Sequence, residues 1–466
     1  MTDATPAPTD ADSAGIHADR VIDEARVRAL PLLVALLCGL VLAVDGFDTQ
    51  AIGFVAPQLT RLWHIPPAQL GYLFSSALVG LMIGYLLISP LAGRFGPKRV
   101  CIACVAGFGL LSMLTITARG PYELMLYRLI TGIGLGGALP PAVALCGEFA
   151  PRRLRSSFIT FMYCGLSLGQ IAAGFATIWL LAAHGWQAVL LLGGVLPLLL
   201  AVVLWKWLPE SIEFQIRQRH PQPRLRAVLE RIAPGFDPTG RAPITASDGA
   251  RAGASVGMLF AGRRGFGTLM FWTALFMNLA VLFFVQNWLP TIFRDLGWSQ
   301  NAAISATSLS LSGGLLAAVT MGPLMDRFGA YRVLAGLFVA GGLFVGGIGG
   351  AQAGAHGLML GIGFCMGFCV SGIQKCANAL AVFFYPVSLR ATGLGWGLGI
   401  GRAGAIIGPA LAGNLFAFGW GVPVVFAWFT LPMFVGAAAI LAMGLRYRGG
   451  SAAASTASSA SVKVAT

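Results

Sequence analysis

Five ionisable residues sit inside long apolar stretches: Asp45, Asp48, Arg128, Lys375 and Arg402. A charge in hydrocarbon is costly enough that each reads first as part of a functional site. Asp45 and Asp48 are three apart and therefore share one face of a helix. Two carboxylates on a poorly solvated face repel, and burial disfavours charge on either. One of the pair is thus expected to take up and release a proton, the chemistry of a carrier that couples cargo to protons. Asp48 lies nearer the outer end of its stretch and is expected to carry the proton, with Asp45 as its mid-span partner. The structural alternative is that one Asp caps a helix broken at Gly46, or pairs with a cation to hold helices together.

The cations point to an anionic cargo. Arg128 stands just before a glycine-rich stretch, and a guanidinium can grip a carboxylate through two bonds. It is expected to capture substrate, to pair with the Asp-bearing helix, or to snorkel to the outer face. Arg402, in GLGIGRAG, has glycines on both sides where a helix or ligand can approach, and is expected to be a charge partner or a carboxylate anchor. Lys375, in SGIQKCANAL, lies too deep to snorkel and should face a cavity. Gln374 and Asn378 share its stretch and would bind a ring hydroxyl or bridge two helices. Phe47, Trp288, Phe384, Tyr385 and Trp396 are placed to stack on a flat cargo, but among 30 Phe and 11 Trp most must face lipid or pack.

These residues must be positioned by membrane helices. The chain of 466 residues is 57% hydrophobic and 10% charged, against about 25% charged in soluble domains. Its net charge of +14 could suit nucleic acid, but too few polar residues remain to surface a soluble binder, so that class is excluded. Cys101 and Cys104, and Cys365 and Cys369, lie in apolar runs where Cys acts as a small hydrophobe. His17, His64, His184, His220 and His356 form no pair at ligand spacing, so no metal and no cofactor beyond a coupling proton is expected.

Apolar stretches between charged or Pro/Gly punctuation give twelve spans, each near the ~20 residues a bilayer crossing needs. They fall near 31–56, 70–92, 100–118, 122–147, 157–183, 186–208, 267–292, 300–325, 332–352, 357–384, 391–415 and 420–445. The fold class expected is an all-α integral membrane protein. Its parts are a tail over 1–30, a six-helix bundle over 31–208, a polar central loop over 209–266, a second bundle over 267–446 and a disordered tail over 447–466. With both termini inside, the inner segments hold 25 of the 31 Lys+Arg, while Arg61, Arg119 and Arg294 alone stand in outer loops. Cytoplasmic termini follow from the positive-inside rule. Within the central loop, LRAVLERI is expected to form two turns of amphipathic helix.

SPLAGRFGPKRV at 89–100 matches GPLMDRFGAYRV at 322–333, and FAPRRLRSS at 149–157 echoes FYPVSLRAT at 384–392. Each pair occupies corresponding junctions of the two halves, the mark of a parallel repeat. The PLxDRFGxxR loop resembles the signature loop of the major facilitator superfamily. More narrowly, LAVDGFDTQAIGFVAPQL at 42–59 resembles the first helix of its aromatic acid:proton symporter family. YRLITGIGLGGALP at 127–140, WLPESIEF at 207–214 and NALAVFFYPVSLRATGLGWGLGIGRAGAIIGP at 378–409 are further matches.

The resemblance implies two six-helix bundles in the bacterial inner membrane, acting as a monomer on an aromatic acid such as a hydroxybenzoate, with protons and lipid as the other partners. It implies gating roles for Asp326 and Arg327, where a carboxylate latches neighbouring helix ends, and for Arg94 in the first copy of the loop. Gly93 replaces the acidic residue there, leaving Glu148 as a candidate for the missing charge. Lys375 also departs from the family pattern, whose residue is small or uncharged at this place. The expected function is proton-coupled import of an aromatic carboxylate by alternating access, not catalysis. The alternatives are a dicarboxylate or muconate-like cargo, export, and a non-transporting receptor.

Overall fold

The computed structural model describes residues 16–25, 27–218, 221–233, 244–245, 256–261, 264–350 and 356–463. Residues 1–15 of the N-terminal tail and much of the central loop expected over 209–266 lie outside them. Among the described residues, eleven helices are long and apolar enough to cross a bilayer. The longest, Arg155–Trp207, is really two, because Gly185 breaks it with φ 75° and ψ −177°. Twelve crossings result.

We number them α1 (Ala29–Trp63), α2 (Pro67–Leu87), α3 (Pro97–Leu114) and α4 (Pro121–Phe149). α5 (155–184) and α6 (186–207) follow on either side of the Gly185 break. The second half comprises α7 (Gly265–Asp295), α8 (Gln300–Phe328), α9 (Ala330–Gly350), α10 (His356–Phe384), α11 (Val387–Ala417) and α12 (Val422–Lys463). Proline opens α2, α3 and α4, where its missing N–H would have had no helical partner anyway. Helical backbone in α12 continues past residue 446, where the apolar pattern ends, into the segment expected as a disordered tail.

The repeat read from sequence reappears as packing. Within the first half, a Cβ at Gly80 or Gly132 would strike the backbone of the facing α4 or α2, so these helices meet backbone to backbone. The same holds for α1 on α5 through Gly46 and Gly169, for α7 on α11 through Gly404 and Gly408, and for α8 on α10 through Gly313 and Gly367. Corresponding pairs thus pack alike in the two halves. The RFG loops correspond too: Arg94 lies over the Phe95 ring at 5.4 Å and Arg327 over Phe328 at 5.3 Å. The glycines that follow, Gly96 and Gly329, have φ of 97° and 85°, a turn conformation that an L side chain resists.

On the face bearing the tails, the central segment forms helices Ile212–Arg217 and Gln222–Ile232. The second contains LRAVLERI and runs three turns rather than two, packing against helix Ala18–Glu24. A parallel pair of two-residue strands, Ile16–His17 and Ile244–Thr245, adds a trace of sheet to the all-α architecture.

Candidate functional site

Gly46 decides where the acidic pair points. Its Cα lies against the Leu166 carbonyl of α5, closer than any side chain would permit, and this seats Asp45 and Asp48 at the helix crossing. The two carboxylates then part company. Asp48 is 1% exposed and accepts from Arg128 of α4, whose Nη1 stands 2.7 Å from both Oδ1 and Oδ2. Arg128 Nη2 reaches the Asp48 carbonyl at 3.4 Å, and Ser112 of α3 donates to Oδ1 at 3.4 Å. A buried pair this close, with extra bonds to its oxygens, offsets part of the cost of taking both charges out of water. Of the readings open for Arg128, the salt bridge to helix 1 is the one seen; it does not snorkel.

Asp45 faces the second half. It accepts from Thr49 Oγ1 at 3.3 Å and attracts Arg402 of α11 electrostatically. Arg402 Nη2 donates to the Tyr85 hydroxyl of α2 at 3.2 Å, with its guanidinium 5.4 Å from that ring's centroid. Tyr163 of α5 completes the group, in electrostatic reach of Tyr85, Arg402 and Asp45. It is 37% exposed.

A second group lies on α10. Asn278 of α7 donates through Nδ2 to Gln374 Oε1 at 3.4 Å, leaving the buried Asn278 Oδ1 without a protein partner. Asn378 Oδ1 is likewise buried and unpartnered. Lys375 interacts electrostatically with Cys164 of α5, across the divide between halves. Among the described residues no carboxylate pairs with it. The aromatic candidates separate: Trp288 is 3% exposed and donates to the Pro409 carbonyl at 3.1 Å, whereas exposed Trp396 stacks on Trp272 at 6.3 Å. Phe47 and Tyr385 are buried in packing contacts.

The residues expected to gate fall on the tail face. Asp326, Arg327 and Arg94 are exposed there. Among the described residues, no hydrogen bond or ion pair joins Glu148 to the first signature loop. Glu148 accepts from the Glu213 backbone N–H at 2.6 Å and so caps helix Ile212–Arg217. The carboxylate that meets the loop is Glu210, accepting from the Lys98 and Ser211 N–H groups at 3.0 Å each. Glu210, Tyr85, Tyr163, Asn278 and Cys164 were not singled out from sequence. Glu210 stood within the WLPESIEF motif, but nothing in the spacing says that a residue after α6 folds back on α3.

The halves touch away from the tails. Tyr72 bonds Asn414 at 3.2 Å, Ser75 donates to Ile406 O at 2.7 Å, and Gln50 donates to Gln286 O at 2.9 Å. Two bundles built alike, meeting at one face around charged groups at mid-depth, have the architecture of an alternating-access carrier. The sequence profile of the Major Facilitator Superfamily matches residues 38–291 and again 265–464. The chain belongs to the major facilitator superfamily. Among similar members, a gallate transporter of Pseudomonas putida is 40% identical, over 91% of this chain and 94% of that one. A 4-hydroxybenzoate transporter of Pseudomonas aeruginosa is 38% identical over 92% and 96%. A 3-(3-hydroxy-phenyl)propionate transporter of Escherichia coli is 34% identical over 84% and 88%. The fold matches the proton:xylose symporter XylE at a TM-score of 0.66 and 19% identity, over 90% and 96% of the chains. The nucleoside transporter NupG matches at 0.67 and 15%, over 89% and 100%. As a superfamily member, this chain is a multi-pass membrane protein and a carrier rather than an enzyme.

Proposed function

We propose that this protein imports an aromatic carboxylate, of the hydroxybenzoate type, together with at least one proton. The observation that supports this most is the group joining Asp45 and Tyr85 of one half to Arg402 of the other, in a chain similar along most of its length to relatives named for aromatic acids. Arg402 and Lys375 hold the cargo carboxylate, and Gln374 and Asn378 meet ring hydroxyls. The proton sits on the acidic pair, with Asp48 released from Arg128 when it is loaded. Arg128 serves that exchange and contributes positive charge behind the site. Termini are cytoplasmic in the bacterial inner membrane, by the distribution of Lys and Arg. The contacts between halves then close the outer face, and the conformation is one that releases cargo inward. A proton entering with the anion cancels its charge, avoiding work against a negative-inside potential of ~2.3 kcal/mol per charge per 100 mV. The carrier acts as a monomer and uses no cofactor.

A second reading changes the cargo alone. Lys375 has no carboxylate partner among the described residues, which suits an acid carrying a second anionic group. The test for both is uptake of labelled hydroxybenzoates and dicarboxylates into proteoliposomes with an imposed pH gradient. Uptake indifferent to the gradient and to an uncoupler would remove proton coupling.

A further inference from the structure

A recess of about 300 Å3 opens where the tail-face ends of α3 and α6 meet, remote from the cargo site. Lys98, Arg99 and Ile102 of α3 line one side, Trp205 of α6 and Phe214 the other. Glu210 also borders it, but one carboxylate oxygen accepts the Lys98 and Ser211 N–H groups and the other rests against Gly96. The carboxylate is occupied by backbone and also attracts the Lys98 ammonium, while the Arg99 side chain stays exposed.

What leads away from the recess identifies its ligand. Arg99, Ile102 and Leu110 share a face of α3, since the eleven residues from Arg99 to Leu110 make just over three turns and Ile102 lies three residues on. Leu110 and Leu114 on α3, and Leu199 and Val202 on α6, are all exposed large hydrophobics. They make an uncovered apolar track that ends, about 16 Å from Leu110, at two cations. Trp205 is 73% exposed at the junction, and Lys206 lies 5.2 Å from the centre of the Trp207 ring beside it. Tryptophan and basic residues at the end of an apolar helix mark the headgroup level of a bilayer.

We propose that this recess binds the phosphodiester headgroup of an anionic glycerophospholipid, with Lys98 and Arg99 on the phosphate, Trp205 at the glycerol level and the acyl chains along the α3–α6 track. A free phosphate would use the cations but leave the track uncovered. The bound lipid abuts the loop between α2 and α3, so it stands next to the Glu210–Gly96 contact.

Trp205 provides the reporter. The full chain, in nanodiscs of phosphatidylcholine, is titrated with phosphatidylglycerol carrying brominated acyl chains, and again with brominated phosphatidylcholine. The same titrations on Trp205→Phe isolate the quenching of that indole. Half-quenching by phosphatidylglycerol is expected at a mole fraction lower by about fivefold per cation engaged. Arg99→Gln, at an exposed position, and Lys98→Gln should each reduce the preference, and Arg99→Lys should keep it. Equal quenching by the two lipids, or an undiminished preference in both Gln variants, overturns the site. Displacement of phosphatidylglycerol by millimolar inorganic phosphate overturns the lipid assignment in favour of a soluble anion.

Discussion

Arg128 on α4 places one guanidinium nitrogen 2.7 Å from both carboxylate oxygens of Asp48 on α1, with each side chain 1% exposed. The pair therefore binds two helices of one half, whereas Asp45, one turn away on α1, faces the other half through Arg402. Two acids three residues apart thus have different partners. One is paired within its own bundle and the other lies where the two halves meet.

Removing one member of the locked pair strands the other as a buried charge, at a cost of about 3–5 kcal/mol. Asp48→Asn is expected to lower the melting temperature markedly in scanning fluorimetry. The double variant Asp48→Asn with Arg128→Gln should regain much of that loss, since no uncompensated charge remains. Under proton coupling, neither should accumulate cargo, although counterflow exchange survives. Full accumulation by Asp48→Asn would take the proton from this residue.

Tyr85 holds Arg402 by a hydrogen bond to a charged group, worth about 1.5–3 kcal/mol. Tyr85→Phe keeps the ring under the guanidinium and deletes only that bond. Initial-rate uptake should show KM raised roughly tenfold or more, with melting little changed. An unaltered KM would show that Tyr85 does not position the anchor.

The contact between halves depends on bare backbone. A Cβ on Gly71 would stand 2.6 Å from the Pro409 carbonyl, and one on Gly413 would stand 2.6 Å from Pro67 O. Gly71→Leu cannot fit this closed face, so it should shift the population towards the conformer open there. Spin labels at Tyr122 and Phe418, both exposed near that face, would report a longer distance in the variant. An unchanged distance distribution would mean that the faces yield without opening.

Much of this was legible in the sequence. The spans, the repeat and the intramembrane charges follow from hydropathy and periodicity, which are local properties. The division of α5 from α6 was legible too, since Gly185 breaks the backbone in the gap between the spans read at 157–183 and 186–208. Partners across helices were beyond reach, because hydropathy does not specify rotation about a helix axis. So Asp45 and Asp48 could be put on one face, but not assigned to Arg402 and Arg128. Glu148 failed as the missing acid for the same reason: its stretch ends beside helix Ile212–Arg217, and the chain leaving α6 brings Glu210 to the loop instead.

The Glu210 contact makes the two signature loops unequal, and their glycines expose the difference. Gly96 and Gly329 share a positive φ, so alanine at either should cost about 1–2 kcal/mol in backbone strain. Around Gly329 an added Cβ meets open space, whereas at Gly96 it would lie 2.6 Å from Glu210 Oε2. Gly96→Ala should therefore destabilise more than Gly329→Ala, the excess being the displaced carboxylate. Glu210→Gln weakens the same bonds to the Lys98 and Ser211 N–H groups, a capping loss of about 0.5–2 kcal/mol. Since both substitutions act on one contact, Gly96→Ala with Glu210→Gln should fall short of the sum of the single effects. Thermal melts of the four variants decide it. Equal losses at Gly96 and Gly329, with strict additivity, would show that Glu210 does not take the place of the acid absent at Gly93.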